Sequence, residues 1–140
     1  INVAGGQWYT PYVKYAITNK IITAGQFADY TATATRATVA QLFVNALPAS
    51  LYEPINFFKS VPDMPSSDAA NMAVLMLYNA GIITGVDDAY NFKPASNIKR
   101  CELAAIINRV ADSKGRQRKV LDKAYELFKE RNADLFDFED

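Results

Sequence analysis

Residues 74–84 read VLMLYNAGIIT, and residues 13–23 read VKYAITNKIIT. Ile82, Ile83 and Thr84 fall on Ile21, Ile22 and Thr23, 61 positions apart. Further on, Arg100, Cys101, Glu102, Leu103 and Ala104 fall on Arg36, Ala37, Thr38, Val39 and Ala40, now 64 positions apart. The change of register places a three-residue insertion in the intervening loop. An internal repeat read this way sets the fold before any single element is assigned. Each unit is a helix, a turn at Ile-Ile-Thr, an irregular loop and a second helix.

Periodicity fills in the elements. Val13, Ala16, Ile17 and Ile21 recur at helical spacing, with Pro11 suited to a first turn. Thr35 is placed to cap a second helix whose apolar face is Val39, Leu42, Phe43, Ala46 and Leu47, stopped by Pro48. In the second unit, Ser67 or Asp68 caps a helix carrying Met72, Ala73, Leu75, Met76, Leu77 and Ala80. A helix apolar on nearly all sides belongs deep in a core. Gly81 and Gly85 bracket its turn, where a helix stop needs positive φ. Leu103, Ile106, Ile107 and Val110 stripe the fourth helix, and the aromatic-rich connector 51–58 has room for one extra helical turn. After Asp112 a basic start (Lys114, Arg116, Arg118, Lys119) leads to Leu121, Ala124, Tyr125 and Phe128 at helical spacing and an acidic end. That stretch predicts an amphipathic helix docking on the body or on a partner. The expected divisions are repeat 1 over 1–47, a connector over 48–57, repeat 2 over 58–112, and a C-terminal helix and acidic tail over 113–140.

The chain has 140 residues, 15 Lys+Arg, 15 Asp+Glu and no histidine. Charge balance argues against a general nucleic-acid binder, whose footprint is a basic excess. The absent imidazole removes Ser-His-Asp and Cys-His nucleophiles and HExxH zinc sites. One cysteine, Cys101, makes neither an internal disulfide nor a zinc knuckle. No apolar run reaches the ~18 residues that span a bilayer, and no signal-peptide pattern is present. The chain opens at Ile1 rather than Met, which reads as a fragment or a processed product.

The order of landmarks resembles the S-layer homology (SLH) module. The first copy shows Ile1-Asn2-Val3, Trp8-Tyr9, Ile21-Ile22-Thr23, Phe27 and Ala34-Thr35-Arg36-Ala37-Thr38. The second shows Phe58-Lys59-Ser60-Val61, Gly81-Ile82-Ile83-Thr84-Gly85, Phe92-Lys93-Pro94 and Ile98-Lys99-Arg100-Cys101-Glu102. The resemblance implies an all-α fold of two tandem helix–loop–helix repeats packed as a small helical bundle, with the C-terminal helix added. It implies a secreted module that holds a bacterial surface protein non-covalently on the cell wall. Its ligand would be an anionic, pyruvylated secondary cell-wall polysaccharide, bound in grooves between repeats. The ligand role carries to Arg36 and Arg100, the aromatic role to Trp8 with its neighbour Tyr9, and the turn role to Gly85 and Gly25. Lys99 stands where the family has Thr, beside the second arginine. Such modules occur in threes, so a further repeat or a homo-oligomer would complete the arrangement.

Residue chemistry leaves a structural reading beside each ligand reading. Guanidinium supplies the planar two-pronged donor that a ketal carboxylate needs, yet each arginine can equally pair internally, with Glu102 or Asp87. Trp8 and Tyr9 offer faces for pyranose stacking or for core packing. Tyr90 and Asn91 can bond a ligand or merely form a turn. Asp87, Asp88 and Asn91 lack the glycine and closing glutamate of an EF-hand, so no metal is expected, nor a cofactor. Cys101 reads as a small packed residue. With no paired carboxylates in an apolar setting, the chain is expected not to be an enzyme. The alternative is a protein-interaction or assembly module of the same fold with degenerate grooves.

Overall fold

The computed structural model describes residues 6–119. The C-terminal helix expected from Leu121, Ala124, Tyr125 and Phe128 lies outside these residues, as does Ile1-Asn2-Val3. Four helices follow in order: α1 (Thr10–Thr18), α2 (Arg36–Ala46), α3 (Asn71–Asn79) and α4 (Arg100–Ala111). Single 3-10 turns cover Ala49–Tyr52 and Ser113–Gly115. The first of these supplies the extra turn expected in the connector. Among the described residues there is no strand; a lone antiparallel bridge joins Thr35 to Asn97. The fold is all-α, and no described helix is long and apolar enough to cross a membrane.

Local chemistry explains the helix ends. Pro11 lies in the first turn of α1, where its missing N–H costs nothing. The Thr35 side chain accepts from the Thr38 N–H at 3.2 Å and caps α2. The cap expected for α3 is displaced. Asp68 Oδ1 accepts from the Ala70 N–H at 2.8 Å, the Asp68 carbonyl accepts from the Asn71 N–H at 3.0 Å, and the helix proper starts only at Asn71. Asp68 therefore spends its carboxylate on a preceding turn. Arg116 closes α4 by donating to the carbonyls of Arg109 and Val110 at 2.8 and 3.2 Å, satisfying acceptors that a helix end leaves open.

The first helix of each half stops in the same way. Ile21 N–H donates to Ala16 at 2.8 Å, and Ile82 N–H donates to Leu77 at 3.0 Å. Lys20 N–H donates to Ile17, and Gly81 N–H to Tyr78, each at 3.0 Å. Lys20 takes φ +59° and Gly81 φ +75°, the left-handed stop that glycine adopts without strain. Lysine at the corresponding position makes the same turn at a steric cost.

Helix α3 is the centre of the core. Val74, Leu77 and Tyr78 are fully buried, and Ile82, Val61 and Phe92 close around them. Tyr78 stacks edge-on against Phe58 at 4.9 Å and Phe92 at 6.1 Å, and its hydroxyl donates to the Tyr90 carbonyl at 2.9 Å. Burial on all sides is not complete, since Met72 is 72 % exposed. Helix α2 packs on α3, with Ala40 in the same core cluster and Ala37, Phe43 and Val44 packed against it. Helix α1 fully buries none of its residues; Val13, Ala16 and Ile17, at helical spacing, are half-buried. Asn56 is buried and ties Gln117 to the end of α3: its Nδ2 donates to the carbonyls of Tyr78 and Gln117 at 3.1 and 2.8 Å.

Candidate functional site

The two halves meet where the segment before α2 runs antiparallel to the segment before α4. Arg36 N–H donates to Ser96 at 2.8 Å, Ala37 N–H to Pro94 at 3.1 Å, and Ile98 N–H to Ala34 at 3.0 Å. This pairing inserts Arg36, the first residue of α2, into the second half. The residue is only 7 % exposed. Nε donates to the Phe92 carbonyl at 2.7 Å, the guanidinium lies over the Phe92 ring at 5.0 Å, and Nη1 is ion-paired with Glu102. Burial lowers the Arg36 pKa from its ordinary value; arginine starts high enough to stay charged. The Phe92 loop is itself held by Asp63, whose two oxygens accept from the Phe92 and Lys93 N–H groups at 2.8 and 2.7 Å.

The Arg36–Glu102 pair forms part of the wall of a cavity of about 650 Å³. Lys93, Lys99 and Arg109 line it as well, with Gly85 and the backbone of the Ile82–Val86 turn. Four cations therefore face one acid. Helix α4 supplies one wall because Glu102, Ile106 and Arg109 share a face at helical spacing. Gly85 adopts φ +81°, and a Cβ there would meet the Tyr90 backbone at 2.9 Å.

A second cavity, about 680 Å³, sits between α1 and α2 in the first half. Tyr12, Ile21, Ile22, Phe27, Leu42 and Phe43 give it apolar walls; Asp29 is its one charged lining residue. The two cavities occupy corresponding places. Ile21, Ile22, Thr35, Thr38 and Leu42 line one, while Ile82, Ile83, Lys99, Glu102 and Ile106 line the other. Asn45 Nδ2 donates to the Ile21 carbonyl at 3.2 Å, as Arg109 Nη1 donates to the Ile82 carbonyl at 3.1 Å.

Residues 62–104 match the S-layer homology domain. SLH domains are generally cell-wall anchoring modules; they bind cell-wall polysaccharide and mark association with the bacterial surface. The charged cavity takes most of its lining from inside that SLH match, with Arg36, Ala105, Ile106 and Arg109 added from outside it. No curated protein and no solved structure matches the chain.

The residues singled out in the sequence separate in space. Arg36, Gly85 and Lys99 line the charged cavity. Arg100 stands exposed at the first residue of α4 and is not part of its lining. Trp8 is 76 % exposed and packs edge-on with Tyr9 and Tyr12; neither Trp8 nor Tyr9 is part of the charged cavity's lining. Gly25 takes φ +74° in open space. Tyr90 packs inward on Phe58 at 5.6 Å instead of entering the cavity. Asp87 accepts from the Ala89 and Asn91 N–H groups and from Asn91 Nδ2; these bonds, the Asn91 side chain first, hold its pKa below the ordinary carboxylate value. Cys101 is exposed and lines the cavity, where a packed residue was expected. Arg109 was missed. Its signal was the Glu102–Ile106–Arg109 spacing, which puts a cation two turns along the face that begins with the acid.

Proposed function

We propose that the charged cavity is the binding site for an anionic group of a secondary cell-wall polysaccharide, through which the chain anchors a larger surface protein. One observation carries this reading: Arg36, Lys93, Lys99 and Arg109 converge on a cavity of about 650 Å³ within and beside the SLH match. Arg36 offers a preoriented guanidinium edge, and the lysines add mobile ammonium charge. A pyruvyl ketal carboxylate is the group this donor set suits best. In this reading residues 1–47 form a first repeat whose main contribution is Arg36, handed across to the second. Arg100 occupies the corresponding place at the start of α4. It would serve a groove in a further repeat or in a second copy of the chain. Trp8 and Tyr9 would stack on sugar rings outside the cavity.

A second reading is supported by the first half. Its cavity has apolar walls and no cation, as expected of an assembly module whose groove takes protein in place of glycan. Sedimentation of the 140-residue chain with bacterial wall sacculi separates the two. Pelleting that is lost when the non-peptidoglycan polymer is stripped supports the glycan site. Pelleting that survives stripping sinks it and favours the assembly module.

A further inference from the structure

We propose that Glu102 sets the affinity of the charged cavity by occupying Arg36 in place of a ligand carboxylate, and that binding displaces it. The inference rests on the glycan-anion reading of this cavity and names the residue that tunes it.

Glu102 is not what holds Arg36 in position. The guanidinium is oriented by the Nε bond to the Phe92 carbonyl at 2.7 Å and by its seat 5.0 Å above the Phe92 ring. Both contacts remain when the carboxylate leaves. Glu102 sits on the open side of the pair: its side chain is 31 % exposed while that of Arg36 is 8 % exposed. It is the one acid among the described residues that line this cavity. A carboxylate arriving from solvent meets Nη1 at the point where Glu102 already sits.

In the first half Thr38 stands at the corresponding position of α2, and its hydroxyl accepts from the Thr35 hydroxyl at 2.9 Å. Helix α2 starts without an acid there under its Thr35 cap; α4 has no side-chain cap and has Glu102 in its first turn, so the fold of each Glu102 variant is checked directly. What Glu102 adds is electrostatic. It neutralises one of four cations and makes any ligand compete with a tethered carboxylate already in contact. A tethered group competes at high effective concentration, so even a weak internal pair lowers ligand affinity.

The test measures half-saturation of binding to polymer-bearing sacculi for the wild-type chain, Glu102→Gln and Glu102→Thr, with far-UV circular dichroism confirming the fold of each. Both variants are expected to bind about tenfold more tightly, with Glu102→Thr reproducing the residue of the first half. Folded variants that bind as wild type or more weakly overturn the proposal. A Lys93→Glu, Lys99→Glu double variant runs in parallel. If it abolishes binding while Glu102→Gln changes nothing, the site stands and only the role of Glu102 falls. If it leaves binding intact, the cavity is not the glycan site and both readings fall.

Discussion

Gly81 and Gly25 share a backbone conformation, at φ +75° and +74°, but not an environment. A Cβ on Gly25 meets nothing within 4 Å, whereas a Cβ on Gly81 would lie 2.7 Å from the Gln117 carbonyl oxygen and 2.7 Å from Ile55 Cδ1. Gly25→Ala therefore isolates left-handed strain, about 1 kcal/mol, partly offset by the stiffer unfolded chain. Gly81→Ala incurs the same strain and must also push the Gln117 backbone away. That movement breaks the Gln117 N–H bond to the Gly81 carbonyl at 2.8 Å and the Asn56 bond to the Gln117 carbonyl at 2.8 Å. At roughly 1 kcal/mol net for each bond, the second variant should lose about 3 kcal/mol in all. With roughly 3 °C per kcal/mol for a chain this size, Tm should fall by about 9 °C for Gly81→Ala and about 3 °C for Gly25→Ala. Lys20→Gly, at the position corresponding to Gly81, relieves strain at φ +59° and should leave Tm unchanged or raise it slightly. The assay is thermal unfolding followed by far-UV circular dichroism, with amide exchange over residues 113–119 as a second readout. Equal losses at the two glycines, or unchanged exchange in Gly81→Ala, would refute the packing argument.

Arg36→Lys keeps the charge but cannot bond the Phe92 carbonyl, lie flat on its ring and pair with Glu102 at once; it should cost about 2–3 kcal/mol. A Tm within about 2 °C of wild type would show that Arg36 is not structural. Burial raises the pKa of Tyr78, with Asp63 and Asp87 adding and Arg36 opposing, and burial likewise raises that of Tyr52 against Arg116. Both phenols are favoured neutral in the folded chain. Their contribution to stability is complete below about pH 10 and is lost as pH rises toward the higher folded values. Helix circular dichroism should therefore collapse together with the last tyrosine absorbance change at 295 nm; completion of tyrosine ionisation with the helices intact would contradict this.

How much the sequence disclosed depends on what kind of signal each residue sends. The α3 core, the Thr35 cap and the Gly81 turn were legible because each is local: periodicity, a capping oxygen, a residue tolerant of positive φ. The start of α3 was misplaced because Asp68 can cap a helix or close a turn, and nothing local distinguishes those uses. How deeply α1 is buried was illegible for a different reason. The apolar stripe at Val13, Ala16 and Ile17 is the helix's half-buried face, but periodicity states which side turns inward, not how much arrives to cover it. The site divided along the same line. Arg36 was found through its position in a repeated box, but its commitment to Phe92 and Glu102 comes from a pairing across some 60 residues. Trp8 and Tyr9 took an aromatic role from resemblance alone, and neither lines the cavity that Arg36 lines.

The divergence of the two cavities follows from four replacements at corresponding positions. Thr35 and Thr38 line the first where Lys99 and Glu102 line the second, and Asn45 makes the turn contact that Arg109 makes. Asp29 and Lys93 sit at corresponding points of the two loops, each carbonyl accepting from the N–H three residues on. Each exchange changes the charge at its position, and the one at Thr35 and Lys99 also removes the side-chain cap. Residues 1–112 carry eight cations and eight acids, so this chemistry is not a property of the whole surface. With little net field to steer an anion from a distance, the proposed anion site would depend on contact. There the fraction of Arg36 free to accept a ligand would matter more than the total charge around it. On the proposal made above, that places the decisive term on Glu102, the acid that stands in the second half where the first has Thr38.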